Sequence, residues 1–317
     1  MIIELPDTNV SKISRALIDV REEGGAVALG RVLTLVIATH HGAEEGPIEA
    51  ANDASREHPM RVIVLMFGDR DAPPRLDAQI RVGGDAGASE VIVLRAYGDA
   101  SSNTESLVTG LLLPDAPVVV WWPDAPPTVP SASPLGRIAQ RRITDASTRP
   151  YDPHRLAGLG AHHAPGDTDL AWTRLTHWRE QLAAVLDQPP YEAITHVEVR
   201  GASSSPSTAL LAAWLRLMLD VPVDWGYLEP DVWSDGIKSV RLVRESGEIV
   251  LDRSTPALAC LSQPGQPDHD LGLPRRTLRE CIAEELRRLD PDVLYGRVIT
   301  DGWRLLGPPT AAQEAHG

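Results

Sequence analysis

Arg61-Val62-Ile63-Val64-Leu65-Met66-Phe67 decides the fold. A short, unbroken apolar run rich in β-branched residues reads as a strand buried on both faces. Upstream, Pro47 to Glu57 reads as a helix closed by Pro59, and Arg31 to Thr39 (RVLTLVIAT) as a second strand. Downstream, the polar, proline-bearing stretch DRDAPPRLDA reads as a connection. Glu90 to Tyr97 (EVIVLRAY) is a third strand, Asn103 to Leu113 a helix, and Pro117 to Pro123 (PVVVWWP) a fourth strand. The first element is a helix, with Val10, Ile13, Leu17 and Val20 on one face, Asp7, Thr8 or Asn9 as its cap, and Gly24-Gly25 at its end. Strands without polar alternation, separated by helices, predict an α/β domain with a mostly parallel sheet covered on both faces. Seven prolines from Pro114 to Pro134 make the segment after Trp122 an extended loop, with a helix resuming over Leu135 to Thr144.

The Pro, Gly and His content of Tyr151 to Asp167 marks a domain junction. Beyond it, Trp172, Leu175, Trp178, Leu182 and Val185 recur at helical spacing. A long helix is expected from Thr168 to the stop at Gln188-Pro189-Pro190. Ile194 to Arg200 (ITHVEVR) is a strand, Ser207 to Leu219 a helix, and Lys238 to Arg244 with Glu248 to Asp252 a hairpin turning at Glu245-Ser246-Gly247. A short strand at Leu258 to Leu261 and helices over Thr277 to Leu289 and Asp292 to Leu305 complete the second half. The expected organisation is an N-terminal α/β domain over 1–165 and a C-terminal α/β domain over 166–307. The latter has a mixed sheet, opens with the long helix and closes with C-terminal helices; a disordered tail follows over 308–317.

Composition narrows the function. The chain has 317 residues and a formal net charge of -14, a balance that argues against binding a phosphate backbone. No apolar stretch is long enough to span a bilayer, and Met1-Ile2-Ile3-Glu4 lacks the regions of a signal peptide. A cytoplasmic protein without nucleic-acid or membrane partners is expected. Cys260 and Cys281 form no C-x-x-C pair, so neither a disulfide framework nor a zinc cluster is predicted.

Five places carry candidate chemistry. Gly201-Ala202-Ser203-Ser204-Ser205 joins a strand to a helix, where backbone N–H groups can hold a phosphate. The G-K-[ST] ending of a P-loop is missing, and a loop capped by serine is the simpler account. Asp167 and Asp169 stand at a helix start, as ligands or interface charges on one reading and as caps on the other. Trp121 and Trp122 end a central strand; neighbouring strand residues face opposite sides, so one belongs to the core and the other to a pocket or partner surface. His40-His41 and His162-His163 are adjacent pairs whose side chains diverge, which builds no metal site. Cys281 shares the apolar helix face of Leu278 and Leu286, the setting of an inert thiol. No G-x-S-x-G elbow and no catalytic carboxylate pair can be named.

The order of these segments resembles one family. PVVVWWP, then Ile143-Thr144-Asp145-Ala146, then Gly166 to Trp172 (GDTDLAW) continuing through Thr173-Arg174-Leu175-Thr176-His177-Trp178-Arg179, is similar to the actinobacterial form of the glucose-6-phosphate dehydrogenase assembly protein. ITHVEVRGASSSPSTALLAAWL and the C-terminal helices resemble it too, so the likeness spans about residues 10–306. The resemblance implies a non-catalytic, cofactor-free allosteric activator that binds the dehydrogenase of the oxidative pentose phosphate pathway. It supplies no catalytic residues. Relatives in photosynthetic bacteria are linked to thioredoxin-type control through cysteines, a role that does not carry over to Cys260 or Cys281. The residues inferred here for partner contact are Trp121, Trp122, Asp167, Asp169 and Trp172. The contrasting expectation is a sugar-phosphate enzyme, of lactonase or isomerase type, using Gly201, Ser203, Ser204 and Ser205.

Overall fold

The computed structural model describes residues 1–23, 32–82, 90–148 and 152–310. The expected helix stop at Gly24-Gly25, the strand start at Arg31, Tyr151 and the tail from 311 lie outside them. The chain forms two compact units from interleaved segments. Unit 1 comprises Met1–Asp145, Gly166–Thr168 and Leu278–Pro291; unit 2 comprises Ala146–Pro165, Asp169–Thr277 and Asp292–Gly317.

Unit 1 is built on an eight-stranded sheet. Its strands are β1 (Ile2–Leu5), β2 (Leu33–His40), β3 (Met60–Phe67), β4 (Arg75–Arg81), β5 (Glu90–Tyr97), β6 (Val118–Trp122), β7 (Arg141–Thr144) and β8 (Asp167–Asp169), in the order β1-β4-β5-β3-β2-β6-β7-β8. The pairs β5-β3, β3-β2, β2-β6 and β6-β7 are parallel, whereas β4 is antiparallel to both β1 and β5. One face carries Val36, Ile63, Ile92 and Val120 against Ile13 and Leu17 of α1 (Val10–Glu23), Val108 of α3 (Thr104–Thr109) and Leu135 of α4 (Pro134–Ile138). Side-chain alternation turns Leu35, Ile37 and Trp121 to the other face. There α2 (Glu45–Ala54) and α9 (Leu278–Arg287) pack on each other.

Three corrections follow for unit 1. Arg75–Arg81 is a strand, not part of a connection: Leu76, Ala78 and Ile80 alternate inward, a pattern masked by the preceding Asp71-Ala72-Pro73-Pro74 and by charged neighbours. Leu135 to Thr144 is not one helix. Ser133 caps α4 and Pro134 opens it, but Ala139 is extended and Arg141–Thr144 joins the sheet. Ile2–Leu5, assigned no element from sequence, is an outer strand.

Unit 2 holds a six-stranded mixed sheet in the order β10-β9-β11-β12-β13-β14. Its strands are β9 (His196–Ala202), β10 (Val223–Leu228), β11 (Ile237–Arg244), β12 (Gly247–Asp252), β13 (Leu258–Ser262) and β14 (His269–Gly272). Only β10-β9 is parallel. Val240, Leu242, Ile249, Leu251, Ala259 and Leu261 point into a core shared with α8 (Pro206–Leu219). The junction segment contains α5 (Pro153–Ala161), whose Asp152 cap and Pro153 opening are ordinary helix-start chemistry that its glycines disguised.

The expected long helix begins later and is broken: α6 (Leu170–Thr173) and α7 (Thr176–Leu186) are separated by Arg174-Leu175, both still right-handed. The apolar periodicity nonetheless marks the inward face, since Trp172, Leu175, Trp178, Leu182 and Val185 are all buried. At the C-terminal end, α10 (Val293–Arg297), a π-helical turn over Val298–Gly302 and α11 (Trp303–Leu305) replace one helix. Beyond Gly307, within the expected tail, Thr310 pairs with Gly226.

Candidate functional site

In unit 1 the five parallel strands run in the order β5-β3-β2-β6-β7. The chain steps outward from β2 to β3 to β5, then returns to the far side of β2 with β6 and β7. In such doubly wound sheets ligands bind beyond the carboxyl ends of the strands, near the reversal between β2 and β6.

The turn after β2 is closed by the chain itself. It reads His40-His41-Gly42-Ala43-Glu44, and Gly42 takes a positive φ of 89°. Its N–H donates to the buried Glu44 carboxylate at 2.6 Å. A carboxylate of the protein thus sits on the turn where a dinucleotide phosphate would approach. Sequence reasoning missed Glu44; the signal was an acid two residues after a glycine in the first strand-to-helix turn.

Beside it, a cleft of about 490 Å³ opens beyond β3, β5 and β6, lined among others by Phe67, Arg70, Ser102, Thr104, Trp122 and Leu135. Trp121 is fully buried. Trp122 is 5% exposed and reaches both the core and the cleft wall. The prediction that the two indoles separate to opposite sides holds in geometry, but neither presents a broad aromatic surface to a partner.

Asp167 and Asp169 are buried as well. Asp167 belongs to unit 1, where it pairs with Arg142 of β7. Asp169 belongs to unit 2 and caps α6: its carboxylate accepts from Ala171 N–H at 2.9 Å and from Ala146 N–H at 3.1 Å. Trp172, 1% exposed, donates its indole N–H to Asp292 at 2.8 Å and lies 3.9 Å beneath the Arg179 guanidinium. Asp292 in turn caps α10 through Tyr295 N–H. Trp122 and Trp172 are therefore buried rather than exposed, and the Gly166 to Trp172 motif is held within the fold. Its tryptophan and carboxylates each find their partners inside the fold.

In the Gly201 loop, Gly201 itself lies on β9. A Cβ there would strike the Thr208 hydroxyl and come within 2.7 Å of the Gly236 carbonyl, so close packing explains the glycine. Ser205 caps α8 by accepting from Ser207 N–H at 3.3 Å, and Ser204 donates to the Ser234 carbonyl at 3.2 Å. Ser203 is exposed. The helix start is thus engaged by the chain's own hydroxyl.

Among the described residues no group of three or more His, Cys, Asp or Glu side chains is placed to hold a metal ion, and no helix is long and apolar enough to cross a membrane. Cys281 is fully buried. Cys260 is half-buried, and burial, with Asp268, Asp270 and Asp252 nearby, pushes its thiol above the usual range. A raised thiol pKa disfavours the reactive thiolate.

Two family models match in tandem. Both describe a glucose-6-phosphate dehydrogenase subunit: the model of its N-terminal domain matches residues 51–161, and the model of its C-terminal domain matches residues 165–299. No curated protein sequence matches the chain. Among solved structures, an oxidoreductase from Sinorhizobium meliloti is similar at 13% identity and TM-score 0.47, covering 86% of this chain and 94% of that one. Glucose-6-phosphate 1-dehydrogenase from Mycobacterium avium follows at 12% identity and TM-score 0.40, covering 87% and 91%. At these scores the structural likenesses decide nothing.

Proposed function

The chain belongs to the glucose-6-phosphate dehydrogenase assembly protein (OpcA) family, and from that premise we propose that it binds this dehydrogenase and shifts it toward an active state without chemistry of its own. The observation that carries the reading is the tandem match, which spans both units in the family's own order. The Glu44-closed turn supports it, because the place where a doubly wound sheet would seat a dinucleotide already holds a carboxylate. The partner's sugar-phosphate chemistry belongs to the cytoplasm, which is the proposed site of action. Trp121, Trp122, Asp167, Asp169 and Trp172 act on this proposal by fixing the surfaces that meet the dehydrogenase rather than by touching it.

A partner shifts such an equilibrium only by binding the active state more tightly than the inactive one. A coupling of about 1–3 kcal/mol changes substrate affinity roughly 5–150-fold, and the effect is reciprocal. Dehydrogenase kinetics across a titration of this protein, paired with complex affinity with and without glucose 6-phosphate, provide the test. The expected result is a rise in activity together with a substrate-tightened complex. Unchanged kinetics and unchanged assembly at saturating partner end the proposal. Higher activity with no change in complex affinity removes the substrate-coupled part and leaves an effect on turnover or assembly.

A further inference from the structure

The cleft at the carboxyl edge of unit 1 is open where the turn beside it is closed, and its lining has a consistent chemistry. None of its lining residues is acidic, in a chain with 44 Asp and Glu residues. Arg70 stands exposed at its edge and has no carboxylate partner among the described residues. The flanking Asp69 is engaged instead with Asp71 N–H, at 2.9 Å. Two cleft hydroxyls are used internally: Ser101 donates to the Gly98 carbonyl, and Ser133 donates to the Pro130 carbonyl while capping α4. The hydroxyls of Ser102 and Thr104 and the indole N–H of Trp122 have no hydrogen bond among the described residues.

We propose that this cleft binds a small phosphorylated metabolite. Arg70 supplies the forked cation that matches phosphate oxygens, and Ser102 and Thr104 supply further donors. Phe67 and the small exposed part of Trp122 add apolar wall, with the Trp122 N–H as a donor toward a hydroxyl-bearing body. The volume suits a small-molecule site, and its place beyond β3, β5 and β6 is the ligand-bearing edge of a doubly wound sheet. The site does not depend on the partner reading, since it is complete within unit 1.

Calorimetry on the isolated full chain, with no dehydrogenase present, tests it using glucose 6-phosphate, inorganic phosphate and unphosphorylated glucose. Saturable binding is expected for glucose 6-phosphate, weaker binding for phosphate, and none for glucose. Arg70→Ala, a change at an exposed position, is expected to weaken binding about tenfold or more through loss of a charge-assisted contact. Arg137→Ala, which removes an exposed cation paired with Glu105, is expected to leave it unchanged. Failure of both phosphate-bearing probes to bind saturably overturns the site. So does an Arg70→Ala protein that binds like the wild type, or glucose binding as tightly as its phosphate ester.

Discussion

Three buried arginines of unit 1 are paired with buried carboxylates, whereas Arg253 of unit 2 is buried against a neutral carbonyl and an aromatic ring. In unit 1, Arg61 meets Glu90, Arg141 meets Glu285 and Arg142 meets Asp167; in each pair both side chains are almost wholly buried. In unit 2, Arg253 is 3% exposed; its guanidinium donates to the Leu273 carbonyl, at 2.8 Å, and lies 5.1 Å from the Trp178 ring. Burial holds its pKa below the usual arginine range. The unit 1 pairs join segments distant in sequence, so each is an electrostatic fastener as well as a burial problem. Arg253 is tolerated by a neutral acceptor and an aromatic face. The difference teaches that removing a buried cation should cost according to what it leaves behind.

The sharpest way to break that contrast is Arg141→Ala. It takes the guanidinium away from the buried Glu285 carboxylate, to which the Thr168 hydroxyl also donates, and from the Asp290 carbonyl. Breaking a buried pair from one side costs about 3–5 kcal/mol, read as a shift of the urea midpoint. Arg141→Met combined with Glu285→Met removes both charges and should recover most of that loss. If the double variant is as unstable as the single one, the fastener account fails and packing alone sets the cost.

Asp169 sharpens the comparison, because its buried carboxylate accepts hydrogen bonds from backbone N–H groups. Asp169→Ala leaves the buried N–H groups of Ala146 and Ala171 without their acceptor, at a cost of about 3 kcal/mol. Asp169→Asn keeps one acceptor oxygen and should restore part of it. A loss of dehydrogenase binding in an Asp169→Ala protein of unchanged stability would remove the framework role assigned above and make the side chain a contact.

How much of this was legible follows from where polarity sits. The strands RVIVLMF, EVIVLRAY and PVVVWWP were readable because they are buried on both faces and carry little else. Arg141-Arg142-Ile143-Thr144 was not, because two buried arginines imitate a solvated helix end and their partners lie at Asp167 and Glu285. Strand β4 was hidden by its charged outer positions, and β10 pairs through contacts that no local pattern records. Of the candidate site, Trp122 was legible as a residue at a strand's carboxyl end. Arg70, Ser102, Thr104 and Glu44 were not, because only the fold brings the loops after β3 and β5 beside β6, and only geometry shows which side chains are already engaged.

The smallest effect is expected at Arg253, and it tests the comparison from the unit 2 side. Arg253→Met gives up one hydrogen bond to a neutral carbonyl and a cation–π contact with Trp178, together worth about 1–2 kcal/mol. It also relieves the desolvation that lowers the arginine pKa, and no carboxylate is hydrogen-bonded to it and left exposed to a low dielectric. A Met side chain retains much of the buried apolar stem. The net cost should be about 1 kcal/mol or less, well under that of Arg141→Ala measured in the same denaturant series. Equal losses at Arg253 and Arg141 would mean that the buried guanidinium itself, not the partner it neutralises, carries the stability, and the distinction between the two kinds of burial would have to be given up.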